Sequence, residues 1–364
     1  MNTVVTFGEV MTRFRVPGHK RLIQTLPGAL EVAFAGAEAN VAASISFLGG
    51  TSRFVTSLPA NTLGDACLAY LTRAGIDVTA VRRTDEGRMG SYYIEAGANQ
   101  RASTVVYDRD SSSVSLAGPE AYDWEQVFSG AGWLHVSGIT PALSQAAAEA
   151  TIVAVREARK RGVTVSCDLN FREKLWRRQK GTEPREFARE TMRGIVEQTD
   201  LLIGNEGDAD DVLGIRAGET EVHSGSLEVE RYPDVAKKIV TRFANIKKVA
   251  ITLRESISAS HNRWGAMLYD AEEGSSRFAP TSGGTYAPYE ITHIVDRVGA
   301  GDSFAAGLIF ALMDSDLKPD LDEVLSFAVA ASALCHSIEG DFNFVTRAEI
   351  EALARGDASG RVRR

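Results

Sequence analysis

DRVGAGDSFAAG, running from Asp296 to Gly307, delivers an aspartate into the first turn of an apolar helix behind a turn of small residues. Gly299 and Gly301 carry no side chain to screen the backbone, so successive amide N–H groups can turn toward one anion. From Ser303 to Leu312 the sequence reads as helix, with Phe304, Leu308 and Leu312 recurring every four residues as a core face. The N-terminus of such a helix carries roughly half a positive charge. A phosphate and a hydroxyl can be held there together, with Asp302 at the mouth of the anion pocket as acceptor of the hydroxyl proton. The same amides favour the ionised carboxylate and so predict a weak base, which suffices if the transferring group is already loosely bound in the transition state. The plainer alternative is an aspartate that caps a helix after a glycine turn.

The chain around this motif has 364 residues, 44% of them hydrophobic, enough to bury a large core. Apolar and β-branched runs alternate with helical periodicity, the pattern of a parallel sheet covered by helices on both faces. Strands are expected at Val4 to Val10, Arg53 to Ser57, Trp133 to Ser137, Val163 to Asp168, Leu201 to Gly204 and Lys248 to Leu253. Ala37, Val41, Ile45 and Leu48 share one helical face, and a second helix begins near Ser144, carries Ile152, Val155 and Arg159, and stops at Gly162. The period changes over Met11 to Val32 and Arg88 to Tyr107, which read as short alternating strands with glycine turns, a smaller β element. Two polar stretches, Arg216 to Arg231 and Glu255 to Arg263, read as surface excursions.

A net charge of −8 and a pI near 5.4 argue against nucleic acid or an anionic membrane as partner. Any site for an anionic substrate must therefore build its own positive potential from local arginines, amides and a metal ion. Cys67, Cys167 and Cys335 are widely spaced in apolar sequence and suggest neither a zinc site nor a disulfide framework. The amino terminus enters a strand directly, and no run approaches the ~20 apolar residues of a membrane span, so a soluble cytoplasmic protein is expected. Neither a G-x-x-x-x-G-K-[ST] loop nor the spacing of a dinucleotide fold occurs.

In parallel α/β sheets chemistry gathers at the carboxyl ends of strands. Asp168, Asn170 and Arg172 leave the strand VTVSC at two-residue spacing and can point into one crevice; an ordinary capped loop is the alternative. Tyr107 and Arg109 lie on the same side of another strand end. Gly36 precedes a helix with Glu38 and Asn40 in its first turn, where it either admits a ligand or simply starts the helix. His135 and His336 sit in apolar runs and read as core histidines, as the four tryptophans read as packing.

GAGDSFAAG is similar to the C-terminal signature of the ribokinase-like (PfkB) carbohydrate kinases. AGAEANVAASISFLG (Ala35 to Gly49), WLHVSGITPALS (Trp133 to Ser144) and VSCDLNFREKLW (Val165 to Trp176) resemble further segments of that family, and the likeness runs from about residue 4 to residue 353. It resembles most the members that act on 2-keto-3-deoxygluconate. The resemblance implies an α/β three-layer sandwich over residues 1–353, with a mostly parallel central sheet, a small β-lid from insertions at about 11–33 and 88–116, and a disordered tail at 354–364. It implies transfer of the ATP γ-phosphate, with Mg2+, to the terminal hydroxyl of a small sugar acid, giving the 6-phosphate. A homo-oligomer joined through the lid is implied as well. Fructokinase or another sugar kinase of the same family is the nearer rival, and a non-catalytic sugar-sensing protein the more distant one.

The same resemblance assigns roles. Asp302 is the base, and Gly299, Ala300 and Gly301 supply the amides that hold the transferring phosphoryl. Gly36, Asn40, Tyr92, Tyr107, Arg109, Asp168, Asn170 and Arg172 would hold the sugar acid, a guanidinium rewarding a carboxylate with paired charge-assisted bonds. Tyr107 and Arg109 packing a dimer seam is the alternative. Glu38 falls where deoxy-keto-acid kinases typically read G-A-E and fructokinases more often show proline. Asn205, Thr252 and Arg254, with Gly299 and Gly301, would meet ATP. The chain departs from the family at Asp208, where glutamate is usual and a water-mediated Mg2+ contact is implied, and at TLRESISASHNRWGA (Thr252 to Ala266), where relatives have a short turn. Asp296 matches the family's monovalent-cation site, for K+.

Overall fold

The structure, a computed structural model, describes residues 2–178, 181–205, 207–216 and 229–357. In chain order the elements that frame the site are β1 (Thr3–Phe7), β2 (Met11–Arg15), β3 (Glu31–Ala35), α1 (Ala37–Phe47), β4 (Ser52–Val55), β5 (Gly90–Glu95), β6 (Thr104–Asp108), β7 (Ala131–Ser137), α2 (Gln145–Lys160), β8 (Thr164–Asp168), β9 (Leu201–Asn205), β10 (Lys248–Ser258), β11 (His261–Asp270), β12 (Ser275–Ala279), β13 (Tyr289–Ile291), α3 (Ala300–Met313) and α4 (Leu321–Cys335).

The strands β4, β1, β7, β8, β9 and β10 lie side by side and parallel, as the apolar runs predict, and β11 and β12 continue the sheet antiparallel, with β13 on β11. Alternation along each strand feeds two cores. Leu134, Val165, Leu202 and Val249 face the side covered by α2, while Trp133, Leu201 and Ala250 face α1, α3 and α4. Helix α2 starts where its cap requires, Ser144 Oγ accepting the Ala147 amide at 2.9 Å, and ends before Gly162 at φ 71°. No helix among the described residues is long and apolar enough to cross a membrane.

A second sheet, ordered β3, β2, β5, β6 with only β2 and β5 parallel, arises from the two stretches of alternating period and stands apart from the main sheet as the expected small β element. Residues 113–116, at the end of the 88–116 insertion expected as lid, are helical instead.

Two expectations need correction. Residues 255–263 are not a surface excursion: they complete the β10–β11 hairpin, paired from Lys248↔Asp270 to Ser256↔Asn262. Their side chains mix charged, polar and apolar types, Arg263 bonding Glu255 at 3.1 Å and Glu290 at 2.6 Å while Ile257 is exposed, so no clean strand period shows in the sequence. The helix after the glycine turn begins at Ala300, not Ser303, because Gly299 at φ 85° provides the break. The last helix runs from Arg347 to Ala354, and 358–364, most of the expected tail, lie outside the described residues. Most of the 216–231 stretch, residues 217–228, also lies outside them.

Candidate active site

A cleft opens at the carboxyl ends of β1, β8, β9 and β10, with the second sheet above it and the N-terminus of α3 at its floor. Gly36, Asn40, Tyr92, Tyr107, Arg109, Asp168, Asn170, Arg172, Asn205, Asp208, Thr252, Arg254 and Gly299 to Asp302 all line it, although they come from every part of the chain. Asp296 does not.

The floor is the glycine turn. Gly299 holds φ 85°, and a Cβ there would lie 2.3 Å from the carbonyl oxygen of Asp341, so only glycine lets the turn close this tightly. At Gly301 a Cβ would meet nothing within 4 Å, which is the open side of the cleft. No side chain caps α3, leaving its first-turn amides for a ligand. Asp302 sits in that turn, half-buried, its Oδ2 accepting a hydrogen bond from Asn40 Nδ2 at 2.7 Å. Burial raises its pKa to about 7, helped by the Asp341 and Glu38 carboxylates and opposed by Asn40 and Arg172. The helix amides alone predict a weak base; burial and the neighbouring carboxylates act the other way and raise its proton affinity.

Beside it, burial lifts Asp168 well above the usual carboxylate range, the charges of Asp208 and Asp302 adding to the effect and Arg172 opposing it. Asn170 takes a left-handed conformation at φ 38°, and its buried Oδ1 has no hydrogen-bond partner among the described residues. Arg172 is exposed and, among the described residues, donates only to its own neighbour, Phe171 O, at 2.9 Å. Asp208 spends its oxygens on backbone, Oδ1 accepting from Phe171 N at 3.2 Å and Oδ2 from Asn205 N at 3.0 Å. It thus braces the loop carrying Asn205, and a direct metal bond would cost those two contacts.

On the lid side the structure amends several expectations. Arg109 is buried and already paired: its Nε donates to Glu9 Oε2 at 2.8 Å and its Nη2 bonds the same oxygen. One edge of its fork is thus taken by a residue the sequence reading passed over. Tyr92 is likewise committed, its hydroxyl donating to Asp341 Oδ2 at 2.8 Å, while Tyr107 packs its ring 5.4 Å from the Arg109 guanidinium. Gly36 lines the cleft and is also required by packing, a Cβ there falling 2.0 Å from the Glu9 carbonyl oxygen. Glu38 does not reach the cleft: it is fully buried and accepts from Ser137 Oγ at 2.7 Å and Thr140 Oγ1 at 3.1 Å, with Gly8 leaving room for it. Asp296 faces the guanidinium of Arg13 instead of an open cation site.

At the nucleotide end Thr252 is buried on β10 and Arg254 is exposed at its rim. Arg297 lines the same wall, donating to the carbonyls of Ser258 at 3.1 Å and Ala259 at 2.8 Å. Burial and the nearby charge of Arg254 lower the proton affinity of Arg297, a tension that an anion between them would relieve. Arg172, Arg254 and Arg297, with the free edge of Arg109, are the cationic groups the cleft offers an anion, beside the carboxylates of Glu9, Asp168, Asp208, Asp302 and Asp341. His336 and Trp264 also line the wall, yet both are packed: His336 lies edge-on to Trp264 at 5.2 Å, its Nδ1 contacts Ser332 O, and burial lowers its pKa to about 4. His135 is held in the core on Ser166.

The sequence reading missed Glu9, Asp341 and Arg297. Glu9 follows directly on β1, so the strand-end rule that picked out Asp168 applied to it equally. Asp341 offered no such signal, because it reaches the cleft from a loop far along the chain.

The sequence pattern of the pfkB family carbohydrate kinases matches residues 1–345. The chain is similar to the 2-dehydro-3-deoxygluconokinase of Thermotoga maritima, with 43% identity and a TM-score of 0.86 to its crystal structure over 98% of this chain and 100% of that one. It is 30% identical to the 2-dehydro-3-deoxygalactonokinase of Haloferax volcanii over 98% of both chains. It is 28% identical to the 2-dehydro-3-deoxygluconokinase of Bacillus subtilis over 85% of this chain and 83% of that protein.

Proposed function

Because the chain belongs to the pfkB family of carbohydrate kinases, we propose that it transfers the γ-phosphoryl group of ATP to the terminal hydroxyl of 2-dehydro-3-deoxygluconate (2-keto-3-deoxygluconate), giving the 6-phosphate. It is a phosphotransferase acting on an alcohol group, with a ribokinase-like fold. The observation that carries the reading is Asp302: a half-buried carboxylate oriented by Asn40 beside uncapped helix amides, in a cleft that also holds several arginines.

In this reading the sugar hydroxyl lies against Asp302, which takes its proton as the new P–O bond forms and the bond to ADP breaks; the proton then passes to solvent. The Gly299 to Asp302 amides hold the equatorial oxygens of the transferring group. Arg172 and the free edge of Arg109 bind the sugar carboxylate, while the unpartnered oxygens Glu9 Oε1 and Asn170 Oδ1 accept sugar hydroxyls. Thr252, Arg254 and Arg297 face the nucleotide, and Asn205, braced by Asp208, faces its Mg2+ through water. The Mg2+ carried in with ATP supplies charge neutralisation for the phosphates. The exposed apolar residues Ile23, Val32 and Val106 on the lid fit a homo-oligomer joined there, and three unpaired cysteines fit the cytoplasm.

ADP release measured with 2-keto-3-deoxygluconate, its galactonate epimer, fructose, ribose and adenosine tests the assignment. A sugar acid should exceed fructose in kcat/KM by at least about 100-fold, because fructose leaves the arginines unpaired. Preference for fructose, or ligand-induced stabilisation without any ADP, would overturn it.

A further inference from the structure

Where the family resemblance places a monovalent metal ion, this chain places an arginine. Arg13 is buried on lid strand β2 and gives one guanidinium nitrogen to Asp296 and another to Asp341. We propose that the Arg13 guanidinium is a built-in cation that replaces a bound K+ at the loop before Asp302, so that the enzyme works without any monovalent metal ion. Its turnover consequence rests on the kinase reading above; its binding consequence does not.

The donor set argues against a metal. An ion in this position needs several oxygens turned toward it, and both Asp296 carboxylate oxygens and several backbone carbonyls around the turn already accept N–H or O–H groups. Asp296 Oδ1 accepts the Val298 amide at 3.1 Å, and Oδ2 accepts the Gly340 amide at 3.3 Å as well as Arg13. The nearby carbonyls are also engaged: His336 O takes the Val295 amide at 2.9 Å, Gly299 O the Ser303 amide at 2.8 Å, and Ala300 O the Ser332 hydroxyl at 2.6 Å.

The charge argument runs the same way. Asp296 and Asp341 are buried carboxylates near Asp302 and require a countercharge. A guanidinium supplies it permanently, because it does not deprotonate in a protein, and its planar fork bridges two carboxylates that no single backbone segment carries. The bridge joins the lid to the catalytic floor. Asp341 also receives the Tyr92 hydroxyl from β5, and its carbonyl oxygen sits against the face of Gly299. Arg13 does not line the cleft, so it is a positioning residue rather than a catalytic one.

The test compares KCl, NaCl and tetramethylammonium chloride at equal ionic strength and fixed Mg2+. Wild-type chain should melt within about 1 °C and release ADP within about twofold in all three. A K+-specific rise in Tm that saturates at millimolar salt, or K+ activation of about tenfold or more, would overturn the proposal. Arg13→Ala should lose turnover in tetramethylammonium and regain about tenfold or more with K+ or low millimolar guanidinium, while Arg13→Lys should need neither. A folded Arg13→Ala chain that matches wild type, or that responds to neither ion, counts against it. If Arg13→Ala does not fold, the wild-type salt series still decides. If wild type releases no ADP with any sugar, the kinase reading fails and the melting series decides the cation question alone.

Discussion

Removing the amide of Asn40 should move the acid limb of the rate profile. Asn40 Nδ2 donates to Asp302 Oδ2 at 2.7 Å, and this bond opposes the burial that lifts Asp302 to about 7. A hydrogen bond to a charged group contributes about 1.5–3 kcal/mol, and 1.36 kcal/mol is one pKa unit, so Asn40→Ala should raise Asp302 by about one to two units. At pH 7 the ionised fraction then falls from about one half to between about one tenth and one hundredth, a loss of about 5- to 50-fold in kcat/KM. The loss should vanish progressively toward pH 9. Asn40 Oδ1 also accepts the Gly36 amide at 3.2 Å, so part of the sugar site will loosen. That lowers the whole profile without moving its limb, and the two effects separate cleanly. The assay is ADP release from pH 5.5 to 9.5 with Mg2+ in excess, for wild type and Asn40→Ala. A uniform loss with the limb still near pH 7 would refute the argument that Asn40 tunes the base.

Asp302→Asn should stabilise the unliganded protein. Below about pH 4 the aspartate is protonated in both folded and unfolded chains; between there and about pH 7 the folded chain keeps a proton the unfolded one has lost, so stability falls as pH rises. The variant escapes this and should gain up to about 2–4 kcal/mol in urea unfolding at pH 8 and nothing near pH 4; equal stability at pH 8 would be the contrary result. Gly299→Ala must put a Cβ 2.3 Å from the Asp341 carbonyl at φ 85°, costing at least about 2 kcal/mol, whereas Gly301→Ala meets only open space and should melt like wild type while weakening ATP binding. Thermal melts and KM for ATP separate them, and equal melting points would contradict the geometry. Arg109→Ala should raise KM for the sugar acid by about tenfold or more and leave fructose unchanged; no change for either would remove Arg109 from the carboxylate site.

The parallel core was legible because each strand is apolar on both faces and each helix repeats its apolar residues at helical spacing. The 255–263 hairpin was not, since charged, polar and apolar residues mix along it and Ile257 is exposed, so no apolar alternation marks it. At the site, residues that follow strand ends or sit in a glycine turn could be found by position, as Asp168 and Asp302 were. What sequence could not carry was pairing. Arg109 read as a free guanidinium because nothing in local sequence announces Glu9 a hundred positions earlier. Arg13, alternating with Thr12 and Phe14, read as an ordinary strand residue although both of its partners lie near the other end of the chain. The proton affinity of Asp302 was hidden for a related reason: the burial and the Asp341 and Glu38 carboxylates that raise it, and the Asn40 and Arg172 groups that lower it, all come from tertiary packing.

Rapid-quench single turnover with Asp302→Asn and 2-keto-3-deoxygluconate isolates phosphoryl transfer from product release. General-base removal predicts a transfer rate lower by about 100- to 10,000-fold, with ATP and sugar-acid binding within about threefold of wild type. Transfer within about fivefold of wild type would mean that Asp302 takes no proton, and the central chemical assignment would be wrong.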